Sequence, residues 1–105
     1  MSDKPAPFEL KGFQRKHLRA LAHRLKPLVQ VGQAGVSPEV LSAVQAALLD
    51  HELIKVRLTR PEDKHAEAAA LAQGAGAALV GLVGHTAILY KPHPKEPQIK
   101  LPTRK

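Results

Sequence analysis

The chain has 105 residues, 44% of them hydrophobic, which predicts one small domain with a buried core and excludes a duplicated domain. The absence of cysteine excludes disulfide frameworks, thiolate nucleophiles and Cys-ligated zinc. No apolar run reaches the roughly 18 residues that a membrane span requires, and the first residues do not resemble a signal peptide, so we expect a cytoplasmic protein.

Sixteen Lys and Arg oppose nine Asp and Glu, and the formal net charge of +7 makes a polyanion the first partner to consider. The excess lies at the two ends: residues 1–26 hold seven bases and two acids, and residues 91–105 hold five bases and one acid. Residues 27–90 hold four bases and six acids. Basic tails are also common on proteins without a specific anionic partner, so this distribution alone does not define a function.

The first predicted element is a helix that follows a proline-containing, flexible arm at residues 1–9. Apolar residues recur at i, i+3, i+4 and i+7 along this helix, which is predicted to end before Pro27. The residues of this stripe are Leu18, Leu21, Ala22 and Leu25. Residues 28–31 then form a short apolar run, which predicts a strand closed by Gly32.

A second helix is predicted to start at Pro38, with Ser37 as its cap, and to end near His51. The residues expected on its buried face are Val40, Leu41, Val44, Ala47 and Leu48. In residues 52–59, apolar side chains alternate with Lys55 and Arg57, which predicts a strand with one covered face and one wet, basic face.

An alanine-rich third helix is predicted to open at Pro61 and to end at Gly74. Residues 77–83 are apolar at successive positions, which predicts a central strand, and Gly84 with His85 turns it into a hairpin with residues 86–91. The fold class is therefore α/β, a single domain at residues 10–91. Its mixed four-stranded sheet is expected to be parallel through the first three strands and antiparallel at the hairpin. Residues 92–105 contain four prolines and are expected to be a basic tail without regular structure.

A row of basic residues on the first helix is the first candidate site. On a helical wheel, one arc holds basic residues and no acid, and it lies apart from the apolar stripe. The residues of this arc are Arg15, Lys16, Arg19, His23 and Lys26. An ordinary solvated face is the alternative, but solvated faces usually mix both signs, so the arc favours contact with phosphates.

The second candidate is the G-x-x-G sequence Gly32, Gln33, Ala34, Gly35, which lies between a predicted strand and the amino end of a helix. Two glycines let the backbone approach a phosphate closely, and the helix that follows offers unpaired N–H groups. Many ordinary tight turns also contain two glycines, so this signal gains weight only from its proximity to the basic helix.

No constellation predicts an enzyme, a cofactor or a metal. The six histidines have no pair at i, i+3 or i+4, and the chain has neither a dinucleotide fingerprint nor a P-loop. No base or nucleophile is linked by spacing to the acids of the third helix. With three aromatic residues there is no stacking platform, so contacts to phosphates and to RNA shape are what remain.

Four stretches, residues 18–27, 31–36, 51–56 and 82–91, resemble the bacterial YhbY-like proteins, the stand-alone form of the CRM (chloroplast RNA splicing and ribosome maturation) domain. The resemblance covers residues 10–91 and implies an RNA-binding domain similar in fold to the carboxy-terminal domain of translation initiation factor three. It implies association with precursors of the large ribosomal subunit. The family's G-x-x-G maps onto Gly32 and Gly35. Many members have a basic or small polar residue where this chain has Gln33, so phosphate contact is expected from the loop backbone and from Lys26.

Taken together, these features predict a monomeric RNA-binding assembly factor without a catalytic role, a cofactor or a metal. The residues expected to contact RNA are Arg15, Lys16, Arg19, His23, Lys26, Gly32, Gln33, Ala34, Gly35, Lys55 and Arg57. One alternative is a protein-protein adaptor that docks on a ribosomal protein or an assembly GTPase. A second alternative is a small enzyme that acts on phosphorylated substrates.

Overall fold

Three helices and four strands alternate along the described part of the chain. A computed structural model describes residues 10–32, 35–59 and 63–99. The elements are α1 (Gly12–Ala22), β1 (Val29–Val31), α2 (Pro38–His51), β2 (Leu53–Leu58), α3 (Lys64–Ala75), β3 (Ala78–Val83) and β4 (Thr86–Tyr90). The predicted class, element order and mixed four-stranded sheet are confirmed. The arm at residues 1–9 lies outside the described residues, as do residues 100–105 of the tail.

The strand order in the sheet is β1-β2-β4-β3. Strand β1 pairs with β2 in parallel, and β4 is antiparallel to both of its neighbours. The prediction that residues 77–83 form a central strand is therefore wrong. Strands β1, β2 and β3 point in the same direction, as predicted, but β4 pairs with β2, lies between β2 and β3, and leaves β3 at the edge. Strand β3 is apolar on both sides because α3 packs against one side and α1 against the other.

The two faces of the sheet have separate hydrophobic clusters. Ile54, Val56 and Leu58 point toward α2 and α3, on the side that we call the closed face. Leu53 and Ile88 point the other way and pack with α1, on the side that we call the open face. This follows from the two-residue side-chain period of a strand. The predicted wet face of β2 is therefore covered at its start: Leu53 is buried under α1, whereas Lys55 is half-buried and Arg57 is exposed.

The start of α2 and both ends of α3 test the helix boundaries predicted from the sequence. Ser37 Oγ accepts a hydrogen bond from the backbone N–H of Val40 at 3.2 Å, which confirms the predicted cap. Helix α3 begins at Lys64 behind an Asp63 cap, later than predicted, whereas Pro61 lies outside the described residues. It ends at Ala75, and the left-handed residue that caps it is Gly76, with a φ of +70°, and not Gly74 as predicted.

Gly74 has a packing role instead of a capping role. A Cβ at this position would lie 2.8 Å from Leu41 Cδ2, closer than carbon atoms pack. The glycine therefore lets α3 approach α2 closely on the closed face, and this need is invisible in the local sequence. Within the described residues, no helix combines the length and apolarity that crossing a bilayer requires.

Helix α1 ends at Ala22, four residues earlier than predicted. Pro27 disfavours helical geometry at the residue before it, and a turn bond from Leu25 N–H to the Ala22 carbonyl replaces the last helical turn. Leu21 and Leu25, predicted to be buried, are 43% and 39% exposed. Only Leu18 and Ala22 of the predicted stripe are buried, so α1 covers less of the sheet than a longer helix would.

Residues 92–99 have no helix or strand, but they fold back onto a buried carboxylate. Glu52 is 2% exposed and accepts hydrogen bonds from the backbone N–H groups of His93 (2.7 Å), Gln98 (3.0 Å) and Ile99 (2.8 Å). Burial pushes the pKa of Glu52 up, but these bonds and the nearby His93 outweigh it and hold the pKa below its usual value. Ile99 in turn packs on the open-face cluster.

Candidate functional site

The part of the open face that α1 leaves uncovered is the candidate site. Gln30, Arg57, Thr86 and Val83 are direct neighbours across β1, β2, β4 and β3, so they form one row on this face. Lys55 lies one row further along β2, next to Ile88 on β4. Aligned neighbours in a sheet point to the same side, so the four strands present these side chains together.

Two adjoining cavities occupy this surface, and we call them the inner pocket and the outer pocket. The inner pocket, of about 350 Å³, is lined by Arg19, His23, Pro27, Lys55, Val83, Thr86 and Ile88. The outer pocket, of about 400 Å³, is lined by Lys26, Pro27, Leu28, Val29, Gln30 and Arg57. Pro27 belongs to both linings, so the two pockets adjoin at this residue, and we call them together the groove.

The groove is basic and has no acid in its lining. Its basic side chains come from two segments: α1 with the connection that follows it, and β2. These side chains are Arg19, His23, Lys26, Lys55 and Arg57. The described acids lie elsewhere: on α2 and α3 behind the closed face, at the caps of these helices, and in residues 92–99. Like charges without nearby acids repel one another, so an anion bound here would be stabilised.

Arg19 lies flat on the sheet because the strand beneath it has a glycine. A Cβ on Gly81 would lie 3.1 Å from Arg19 Cδ and 3.6 Å from Cγ, so a larger residue would press on the arginine stem. A β-bulge interrupts the pairing of β3 and β4 at this point. Glycine inside a strand typically marks such a bulge or a close approach. The stem of Arg19 therefore lies over Gly81, at the wall of the inner pocket.

The G-x-x-G loop begins where β1 ends, at the same edge of the sheet as the groove. Gly35 N–H donates a hydrogen bond to the Gly32 carbonyl at 3.0 Å, and Gly35 has a φ of +76°, which glycine adopts without strain. Gly32 is exposed and lies two residues after Gln30, roughly 7 Å along the strand at about 3.3 Å per residue. Gln33 and Ala34 lie outside the described residues.

A carboxylate lies directly behind this loop. Glu67 Oε2 is 3.6 Å from the position that a Cβ on Gly35 would occupy, and Glu67 Oε1 is buried and has no hydrogen-bond partner among the described residues. A negative charge at this position opposes a phosphate bound over Gly35. The groove is therefore a better place for an anion than the carboxyl end of the loop.

The structure brings together five of the residues predicted from sequence: Arg19, His23, Lys26, Lys55 and Arg57. Arg15 and Lys16 are exposed on α1 but do not line either pocket. His23 and Lys26 reach the groove from the connection after α1, not from the helical arc on which they were predicted. Within the described ranges, no group of three metal-ligating side chains comes together.

Sequence reasoning missed the uncharged groove residues Thr86, Val83 and Gln30, as well as Gly81 beneath Arg19 and the buried Glu52. The groove neighbours depend on strand register, which no local pattern reveals. The one available signal was Gly81, a glycine in the middle of an apolar strand pattern, which indicates a bulge or a close approach.

Comparisons with known proteins identify one domain family and relatives that are named as RNA-binding proteins. The sequence model of the CRS1/YhbY (CRM) domain family matches residues 10–91. The chain is 41% identical over 95 residues to a Bacillus subtilis protein named "Probable RNA-binding protein YqeI", covering 89% of this chain and 99% of that one. It is 38% identical over 93 residues to a Haemophilus influenzae protein named "RNA-binding protein", covering 87% and 93% of the two chains.

A solved structure has the same fold. It is the solution structure of a hypothetical protein from Staphylococcus aureus, described as a candidate RNA-binding protein. The two superpose with a TM-score of 0.78 at 30% sequence identity, covering 90% of this chain and all of the other.

Proposed function

Since the chain belongs to the CRS1/YhbY (CRM) domain family, we propose that it is an RNA-binding protein that acts in assembly of the large ribosomal subunit. In this proposal it binds structured ribosomal RNA in the cytoplasm, as a monomer and without a catalytic step. The observation that supports it best is the groove, in which Arg19, Lys55 and Arg57 come together from separate elements with no acid among the lining residues.

The groove favours contact with the sugar-phosphate backbone. Lys and Arg side chains that converge on one surface neutralise successive phosphates and release counterions, and this release supplies most of the non-specific affinity for nucleic acid. Arg15 and Lys16 extend the same charge along α1 beyond the groove. Gly32, exposed at the carboxyl end of β1, would bring the G-x-x-G sequence of residues 32–35 close to the RNA backbone.

Salt dependence of RNA affinity tests the proposal. For a hairpin of ribosomal RNA sequence, log K should fall linearly with log salt, with a slope of roughly 0.7 to 0.9 per neutralised phosphate. The double variant Lys55→Gln and Arg57→Gln should bind about tenfold more weakly near physiological salt, and the magnitude of its slope should fall by roughly 1.4 to 1.8.

A matched control lowers the net charge equally on the opposite side. Gln45 on α2 and Gln73 on α3 are exposed, and Gln45→Glu with Gln73→Glu removes the same two units of net charge as the groove variant. This control should keep the wild-type slope within about half a unit, since its acids lie far from the bound phosphates. A flat salt response of the wild type, or an equal loss in both variants, would reject the groove as the RNA site.

The adaptor alternative predicts a different outcome. If the protein docked on a ribosomal protein or an assembly GTPase, its association with particles from growing cells would survive nuclease treatment. It would also be insensitive to the Lys55 and Arg57 substitutions. Loss of association after nuclease, together with recovery of large-subunit RNA fragments by crosslinking, is the result expected here.

A further inference from the structure

We propose that the inner pocket binds one unpaired nucleobase, so that the protein selects RNA with a bulged or looped-out nucleotide over a continuous duplex. This inference rests on the proposed function and names the RNA feature that the groove would recognise. Phosphate contacts alone carry no such selectivity, because every stretch of duplex offers them. A pocket that accepts a base distinguishes irregular RNA from regular helix.

The shape and lining of the inner pocket fit a planar, partly apolar ligand. Its volume of about 350 Å³ is at the small end of the range for small-molecule sites. Ile88 is 2% exposed and belongs to the packed open-face cluster, which makes the floor of the pocket rigid. Val83 is 62% exposed at the mouth, and Pro27 supplies another apolar surface. An anion alone gains no stabilisation from contact with apolar side chains, whereas a nucleobase buries its face against them.

Polar groups surround this apolar floor. Arg19, His23 and Lys55 supply donors, and the Thr86 hydroxyl can both donate and accept. The edge of a nucleobase carries donors and acceptors, and Arg guanidinium planes stack on bases in RNA complexes. No acid lines the pocket, so a positively charged ligand such as a lysine-rich peptide is disfavoured.

The contact between Arg19 and Gly81 prepares the pocket before any ligand arrives. With its stem held on the backbone of Gly81, Arg19 loses less rotamer entropy on binding than a freely moving arginine. Gly81 is thus a positioning residue, which acts on the ligand through Arg19. The outer pocket continues past Pro27 to Lys26 and Arg57, where the phosphates next to an extruded nucleotide would lie.

The test compares two RNA hairpins that are both closed by the same non-nucleotide linker, one fully paired in its stem and one with a single-nucleotide bulge. The linker leaves no unpaired loop bases and the two RNAs differ by one phosphate, so the difference in affinity isolates the bulged base. Wild-type protein should bind the bulged hairpin about tenfold more tightly, which corresponds to about 1.4 kcal/mol. With 2-aminopurine at the bulge, its fluorescence should rise on binding, because the base leaves the stacked helix.

Two variants change the pocket without changing the charge of the protein. Thr86→Leu fills the pocket and should abolish the preference for the bulge, so that the two hairpins bind with equal affinity. Gly81→Ala should reduce the preference about threefold by displacing Arg19. If Thr86→Leu fails to fold, Gly81→Ala still tests the proposal, since alanine is more favourable than glycine inside a strand. Thr86→Ser keeps the pocket open and should retain the preference.

The outcomes separate this inference from the proposed function. Wild-type affinities that are equal for the two hairpins but fall with salt would overturn the base pocket and leave RNA binding intact. A retained preference in Thr86→Leu would place recognition of the bulge elsewhere and would also overturn it. Salt-independent binding of both hairpins would instead count against the proposed function itself.

Discussion

Among the residues that the structure describes, the closed face buries thirteen residues in its cluster, whereas the open face buries seven. The difference arises because two helices, α2 and α3, pack on the closed face, whereas in this part of the chain one short helix, α1, packs on the open face. Most of the apolar surface removed from water therefore lies on the side away from the groove. One face of the sheet supplies most of the stability, and this leaves part of the other face free to present Arg19, Lys55 and Arg57 to solvent.

Two glycines show how the same residue type serves the two faces. Gly74 lets α3 approach Leu41 of α2, so its missing side chain improves the packing of the closed face. Gly81 lets the stem of Arg19 lie on β3, so its missing side chain positions a basic group on the open face. On the closed face, the close approach of two helices at a glycine contributes to stability. On the open face, the close approach of an arginine stem to a glycine orients a basic side chain.

The largest effect on stability should come from the closed face. Leu71 is fully buried in its cluster, and Leu71→Ala removes apolar contacts and leaves a cavity. We expect the free energy of unfolding to fall by about 2 to 5 kcal/mol, measured by urea unfolding. At temperatures where the variant stays folded, its RNA affinity and salt slope should match the wild type. A marked change in the slope would show that the two faces are not independent.

A substitution in the core beneath α1 should lower both the stability and the RNA affinity, unlike one on the closed face. Leu18 is fully buried on the open face, and Leu18→Ala should lower the free energy of unfolding by about 2 to 4 kcal/mol, toward the lower end of the range for buried leucines. Unlike the Leu71 variant, it should also weaken RNA binding severalfold, because α1 carries Arg19 into the groove. Affinity must be measured well below the unfolding midpoint. Unchanged affinity would mean that Arg19 does not depend on the packing of α1.

The sequence predicted well what local patterns decide. Ser37 and Pro38 set the start of α2, and Gly84 with His85 forms the hairpin turn, because caps and turns depend on neighbours a few residues away. Alternation along β2 correctly placed Lys55 and Arg57 on the side away from α2 and α3, since strand faces follow directly from the two-residue period.

Features that depend on distant partners were not predictable. The edge position of β3 follows from the pairing of β4 with β2, and the role of Gly81 from the passage of Arg19 above it. The early end of α1 moved His23 and Lys26 off the predicted helical arc, although both still reach the groove. The sequence predicted Glu52 only as the first residue of a strand. Its role as a buried hydrogen-bond acceptor was not predictable, because its partners lie more than 40 residues further along the chain. Local patterns identified the basic residues, but the pocket between them required the tertiary fold.

Glu52 provides a pH-dependent test of the open face. Its carboxylate holds residues 93–99, and Ile99 packs on the open-face cluster, so Glu52→Gln should lower the free energy of unfolding by about 1 to 3 kcal/mol at pH 7. The pKa of Glu52 is lowered in the folded state, so the stabilisation is complete above the unfolded pKa of about 4.3 and is lost as the pH falls through the folded pKa.

Urea unfolding of wild type and Glu52→Gln at a series of pH values measures this difference. The two stabilities should converge only when the pH falls below the lowered pKa of Glu52 in the folded state, where both side chains are neutral. The glutamine keeps the backbone strain at this position, where φ is +65°, so the comparison isolates the charge. A difference between the two proteins that stays constant down to pH 2 would show that the carboxylate charge does not hold the segment.

The smallest effect should come from the helix cap on the closed face. Ser37→Ala removes the hydrogen bond to Val40 N–H and should cost about 1 kcal/mol of unfolding free energy, whereas Ser37→Asp should keep most of it. Ser37 lies two residues after the G-x-x-G sequence. A substitution here therefore tests both the stability of the closed face and the RNA contact proposed for the loop. If the loop only turns the chain into α2, RNA affinity should be equal in the alanine variant and the wild type. A tenfold loss of affinity in Ser37→Ala without a matching loss of stability would mean that the loop and the amino end of α2 contact RNA directly, and the interface would then extend past the groove.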